Sequence, residues 1–194
     1  MDINSILNKL TAELNYILCN TLSDSQIINA TINGEAKGEP KEGQQAVRTV
    51  IYNRSIGPAY FRNKHKLYGG SSSEAKACLA PNQFSVWNNS STCAALLAAY
   101  TNCMSGATVV GIPKVNHSIF TNGTGLTLEQ AKKIYLYLNP TTTTSKAPWV
   151  KLMVSQNSLN KNKRTWKALV TFRGRKVKLT FIRVGAHLFV HGIQ

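Results

Sequence analysis

Apolar residues at Ile27, Ile28 and Ile32 form a stripe in LSDSQIINATING, and that spacing predicts a helix. Ser23 stands at an N-cap position with Gln26 three residues on, the signature of a capping box. Pro40 suits the first turn of a second helix, whose buried face is Ala46, Val47, Val50 and Ile51. SIGPAYFRNKHKLYGGSSS, rich in Gly, Ser and Pro, reads as a loop, followed by a short helix around Glu74 to Leu79. SSTCAALLAAYTNCMSG predicts a helix with almost no charge, which places it in the core. LTLEQAKKIYLYLNP predicts another, with Thr127 and Gln130 as its capping box and Asn139-Pro140 as its stop.

The pattern then changes. TTTTS is a polar, β-branched linker. RTWKALVTF and VKLTFIRV alternate in character around the basic turn RGRK, which predicts a β-hairpin, and GAHLFVHGIQ reads as a last strand. The expected fold class is α+β and mainly helical. One domain is expected over residues 1–194, with a helical extension over 1–22 and the basic hairpin as an insertion over 155–183.

A hydrophobic fraction of 43% is that of a globular protein, not a disordered one. No apolar run approaches the roughly 20 residues that span a bilayer. The net charge of +15 changes the picture more, because it makes polyanions the natural partners. From Ala131 to Gln194 there are 13 Lys or Arg and no acid. This basic third is read either as a solvated surface or as a face for anionic polymers. Cys19, Cys78, Cys93 and Cys103 lack metal-ligand spacing, so no metal is expected, and no cofactor. Cys93, in the apolar run CAALLAAY, is expected to be a buried free thiol.

Acids are scarce, eight in the whole chain, yet Glu35, Glu39 and Glu42 fall within eight positions. Glu35 ends an apolar helix, where the negative end of the macrodipole and poor solvation favour the neutral acid. A carboxylic acid kept neutral can serve as a general acid. Gly34 and Ala36 are small enough to leave room for a substrate beside it. Glu39 is placed to accept backbone N–H groups near the start of the next helix, a structural role, and Glu42 faces solvent in its first turn.

GEAKGEPKEGQQAVRTVIYNR, then APNQFSVWN, VNHSIFTN, APWV and VGAHLFV, occur in the order found in the SleB/CwlJ type of cell-wall hydrolase. The chain resembles that family from Ser23 to Val190. The resemblance implies a lysozyme-like fold and cleavage of the glycan strands of peptidoglycan by one essential glutamate, which maps onto Glu35. Lys37 stands where the family usually carries Arg, and the segment between Trp149 and Val184 is longer than the family's. No repeat-type wall-binding module precedes the motif, so a phage lysin is expected rather than a spore enzyme.

Gln83, Phe84, Ser85 and Trp87 form a polar–aromatic loop suited to sugar rings and hydroxyls, with core anchoring as the other reading of the two aromatics. His117 and His187 follow the family pattern, each better read as a satisfied structural histidine than as a base. Trp149 is expected to line the cleft or to close the core. Glu35 is thus the expected catalytic residue, and Gln83, Phe84, Ser85, Trp87, His117 and Trp149 the expected substrate contacts. A lytic transglycosylase is favoured over a hydrolase, because few carboxylates remain to serve as the second acid of a hydrolase.

The expected partners are peptidoglycan and, through the basic third, anionic envelope polymers; the protein is expected to be a monomer with no specific nucleic acid. MDINSILNKL shows no secretory signal, so delivery to the wall or periplasm is expected by a holin-type route or in a virion. The alternatives are a basic nucleic-acid-binding protein, which only the charge supports, and a non-catalytic wall-binding or virion structural protein, against which Glu35 argues.

Overall fold

The computed structural model describes residues 2–63, 72–140, 147–172 and 174–193. In chain order the elements are α1 (Ile3–Asn20), α2 (Asp24–Ala36), α3 (Lys41–Ile56), α4 (Ser73–Leu79), α5 (Cys93–Met104), α6 (Ser118–Thr121), α7 (Leu128–Ala131), β1 (Leu136–Leu138), α8 (Pro148–Leu159), β2 (Thr165–Phe172), β3 (Arg175–Val184) and β4 (His187–His191). Two 3-10 turns, Ala59–Arg62 and Ser85–Trp87, lie between helices. The chain is α+β and mainly helical, as its pattern predicts. The TTTTS linker, Arg173 of the basic turn and most of the NKHKLYGGS stretch lie outside the described residues.

The chain divides into two compact units. The first comprises Met1–Gly38 and Arg54–Pro113. Here α2 packs on α4 and α5, and Ile27, Ile28 and Ile32 are buried. Its capping box forms as the sequence predicts: the Gln26 amide N–H bonds Ser23 Oγ at 3.2 Å, and the Ser23 amide N–H bonds Gln26 Oε1 at 2.8 Å. Buried Asn33 accepts the Thr108 and Val109 amide hydrogens, which fixes the chain after α5.

Two expectations fail in this unit. Cys93 is not a free thiol; it pairs with Cys19, with the Cα atoms 5.5 Å apart. An apolar run tells that a cysteine is shielded but not what lies beside it, and α1 packed on α5 supplies the partner. Nor is α5 a core helix, for only Leu96 and Cys103 are buried along it. Its other residues are half-buried or exposed, and one face is left open.

The second unit comprises Glu39–Asn53 and Lys114–Gln194. Ala46, Val47, Val50 and Ile51 of α3 are fully buried. The sheet is antiparallel throughout, in the order β1-β4-β3-β2. The hairpin forms as predicted, with Thr165 opposite Ile182 and Phe172 opposite Arg175, around Gly174 at a φ of 75°. Helix α8 was not anticipated; Pro148 opens it, and Val150 and Met153 pack on Trp166, Leu179, Phe181, Leu188 and Val190. The hairpin strands begin only at Thr165, so residues up to Leu159 of the expected insertion are helical.

The helix expected in LTLEQAKKIYLYLNP lasts one turn. The Thr127–Gln130 capping box forms, but β1 takes over at Leu136 and pairs with β4 from Leu136↔Val190 to Leu138↔Leu188. Leu136 and Leu138 are good helix formers, so the free edge of β4, with the strand preference of Tyr137, outweighs continuation of the helix.

Candidate functional site

Glu35 sits in the last turn of α2, half-buried. The Ser85 hydroxyl donates to its Oε1 at 3.2 Å. Gly34 and Ser85 line an open groove of about 450 Å³, whose wall is one face of α5: Ala95, Ala98, Ala99 and Asn102, with Cys103 beside them. Val86 and Asn89 complete the lining. Glu35 therefore borders the groove through its two immediate neighbours, one in sequence and one by hydrogen bond.

Gly34 makes this geometry possible. A Cβ there would lie 2.7 Å from Cys103 Sγ and 2.7 Å from Val86 Cγ1, so its small size serves close approach of α5 and the Ser85 turn. That differs from the expected role of leaving room for substrate. The adjoining Cys103 thiol is pushed up to about 11 by burial first and by the Glu35 charge second. It stays protonated at neutral pH and is not a nucleophile.

The loop expected to hold sugar divides its labour. Phe84 is 2% exposed and Trp87 is 4% exposed, so the aromatic pair takes the packing role instead of presenting faces to a ligand. Trp87 Nε1 donates to Thr31 Oγ1 at 2.9 Å, tying the loop to α2. The buried Arg54 guanidinium lies 4.4 Å over the Phe84 ring and donates to the Gln83 carbonyl. The Gln83 side chain is half-buried and bonds locally, to the Pro81 carbonyl at 3.4 Å. Ser85, exposed at the centre of this frame, is the loop residue that meets Glu35.

Lys37 caps the end of α2 and donates to the Ser105 carbonyl, so α2 and the chain after α5 are joined on both sides of Glu35. Sequence reasoning missed Arg54, Asn89, Asn102 and the α5 face. The signal for the last was partial: Ala95, Ala98 and Ala99 share one helical face with Asn102, whose amide does not suit an apolar core.

His117 and Trp149 belong to the second unit. His117 Nε2 bonds Asn53 Oδ1 at 2.8 Å, and Asn53 Nδ2 donates to the Ala131 and Ile134 carbonyls at 2.9 and 3.0 Å. His117 is held below the usual histidine range, chiefly by burial and then by Lys132, with Glu129 opposing. Through Nε2 it is tied into this network, as a structural histidine would be. His187 is buried between Tyr137 and Phe189, with Glu39 Oε1 3.8 Å from its Nδ1. Trp149 is half-buried against the α8–sheet core.

The remaining glutamates of the cluster are structural. Glu39 Oε2 accepts the Ala186 amide hydrogen at 3.0 Å, holding the β3–β4 turn, a longer reach than the local bonds expected of it. Glu42 is exposed and pairs with Arg164 at 2.8 Å. Among the described residues no group of histidine, cysteine and carboxylate side chains is placed to hold a metal ion, and no helix is long and apolar enough to cross a membrane. Comparisons with family models, with curated proteins and with solved structures gave no match to this chain.

Proposed function

We propose that this protein cleaves the glycan strands of peptidoglycan, with Glu35 as its single acid–base residue and a lysozyme-like catalytic fold. The observation that carries the reading is the Glu35 carboxyl, half-buried at a helix end and hydrogen-bonded to Ser85 beside an open groove. The groove offers small apolar surface from the α5 alanines and amides from Asn89 and Asn102, the mix that a sugar with methyl-bearing acetamido groups needs. The resemblance of the GEAKGEP and QFSVW stretches to cell-wall hydrolases supports the same residue.

The choice of reaction type draws on four of the seven other acids, which are engaged in contacts of their own. Asp24 accepts the Ser72 amide hydrogen at 2.9 Å, Glu129 pairs with Lys132, and Glu39 and Glu42 are bonded as above. A water-using glycosidase needs a second carboxylate within about 5–9.5 Å. A single acid suffices when the sugar supplies its own nucleophile. Protonated Glu35 gives its proton to the glycosidic oxygen as the bond to the anomeric carbon breaks. The resulting carboxylate takes the proton of the muramic acid C6 hydroxyl as that oxygen attacks the anomeric carbon. An anhydro ring closes, no water is consumed, and Glu35 ends protonated. The protein is thus a lytic transglycosylase acting at the bacterial wall or periplasm, and a phage lysin is the setting its basic charge suits.

Mass spectrometry of muropeptides released from purified peptidoglycan tests this. Anhydro-muramic ends are expected. Reducible muramic ends, heavier by one water, would indicate a hydrolase with a second carboxylate, and absence of release would overturn the reading. A gel-shift on DNA across a salt series separates it from nucleic-acid binding.

A further inference from the structure

Helix α1 carries an apolar seam that nothing in the reading above uses. Ile3, Leu7, Leu10, Leu14 and Ile17 recur at intervals of four, three, four and three residues, the a/d spacing of a coiled coil. Each is more than half exposed, from 54% at Leu7 to 71% at Ile3. Ile6 and Leu18, at 42% and 44%, flank the seam and widen it. The other side of the helix is already occupied, since Cys19 is buried in its disulfide and Asn15 is half-buried where α1 packs on α5. A helix held in this way is ordered before it meets a partner, which removes much of the entropy cost of association.

We infer that α1 joins copies of this chain through the seam Ile3–Leu7–Leu10–Leu14–Ile17. Two features select a second copy. The a/d repeat runs the length of α1 and is self-complementary, so the same stripe on a second copy supplies its partner. The helix is also almost uncharged, with only Lys9 and Glu13 along it, so two copies meet there without the repulsion their +15 charges impose elsewhere. A lipid surface would instead call for a polar face rich in Lys and Arg, and here the polar residues are Asn, Ser and Thr with one Lys and one Glu. Leu at the a positions with Ile at two of the d positions favours more than two strands.

Sedimentation velocity of the full chain over a concentration series tests this, in low and high salt. The wild-type protein is expected to sediment as a multiple of 21.3 kDa, and the assembly to persist in high salt because it is apolar. Leu10→Glu/Leu14→Glu should sediment as a monomer with an unchanged far-UV spectrum, and the milder Leu7→Ala/Leu10→Ala should dissociate at higher concentration than wild type. Ser5→Glu, off the seam, should leave the assembly intact. A wild-type monomer throughout the series overturns the inference, as does an assembly indifferent to both seam variants. Flotation of a monomeric wild-type chain with phosphatidylglycerol vesicles, lost in Leu10→Glu/Leu14→Glu, would assign the seam to a lipid surface instead.

Discussion

The Ser85 hydroxyl donates to Glu35 Oε1 across 3.2 Å, joining the end of α2 to a turn fifty residues further along the chain. Ser85 is itself held from behind, by Trp87 bonded to Thr31 and by Arg54 over Phe84. The carboxyl at the groove edge therefore has a fixed partner on a fixed loop.

Glu35→Gln keeps the shape and removes the proton donor. The variant should fold with an unchanged melting temperature and lose about 10²–10⁴-fold in rate on purified peptidoglycan, read as muropeptide release. Near-normal activity would falsify the assignment of Glu35 as the acid.

Ser85→Ala tests the positioning bond. Loss of one exposed hydrogen bond costs about 1 kcal/mol, a factor of about five. It should appear in kcat more than in KM, with stability unchanged. A change confined to KM would make Ser85 a substrate contact instead.

Glu39 and Gly185 make a pair in the second unit. A Cβ at Gly185 would lie 1.9 Å from Glu39 Oε2, and its φ of 58° is left-handed. Gly185→Ala should destabilise by about 1–2 kcal/mol from the backbone alone, with the clash in addition. Glu39→Ala, which gives up the exposed bond from the Ala186 N–H, should cost about 0.5–1.5 kcal/mol. Denaturant unfolding of the double variant should show a smaller penalty for Gly185→Ala once the Glu39 carboxyl is gone. Additive penalties would mean that the turn does not rest on this contact.

Burial and nearby lysines, Lys132 for His117 and Lys133 for His191, hold both histidines below their ordinary range. A lowered folded value means that the unfolded chain takes up protons first as pH falls. Their contribution to stability is complete above about 6.5, the unfolded value, and declines below it as pH drops through the folded values. Thermal melts from pH 8 downward should show this decline, and His117→Gln should reduce its steepness. An unchanged profile would remove His117 as a source.

The exposed side chains of Arg175, Lys176 and Lys178 cluster at the hairpin's turn end. Replacing the three with Gln should weaken binding to whole walls and flatten its salt dependence, with little effect on short soluble glycans. If pull-down across a salt series is unaltered, the basic third serves solubility.

Short-range signals are what the sequence determined by itself. Ser23 with Gln26 and Thr127 with Gln130 capped helices as written, because a capping box closes within four residues. The apolar stripes of α2 and α3 were buried as their spacing required, and alternation around Gly174 gave the hairpin. Only the tertiary structure decided what depends on a distant partner. Leu136–Leu138 became β1 because β4 had an edge to bond, and Cys93 became a disulfide because α1 brought Cys19 to it. As a string of letters Gln83, Phe84, Ser85 and Trp87 are all candidates, with Gln83 foremost because it is the hardest to explain as core. Arg54, Thr31 and Glu35, remote along the chain, turn two rings inward and leave Ser85 at the carboxyl. The charge-free α5 read as core for the same reason: composition tells that a face avoids charge, while side-chain volume and the neighbours it meets decide whether that face is filled or left as a groove.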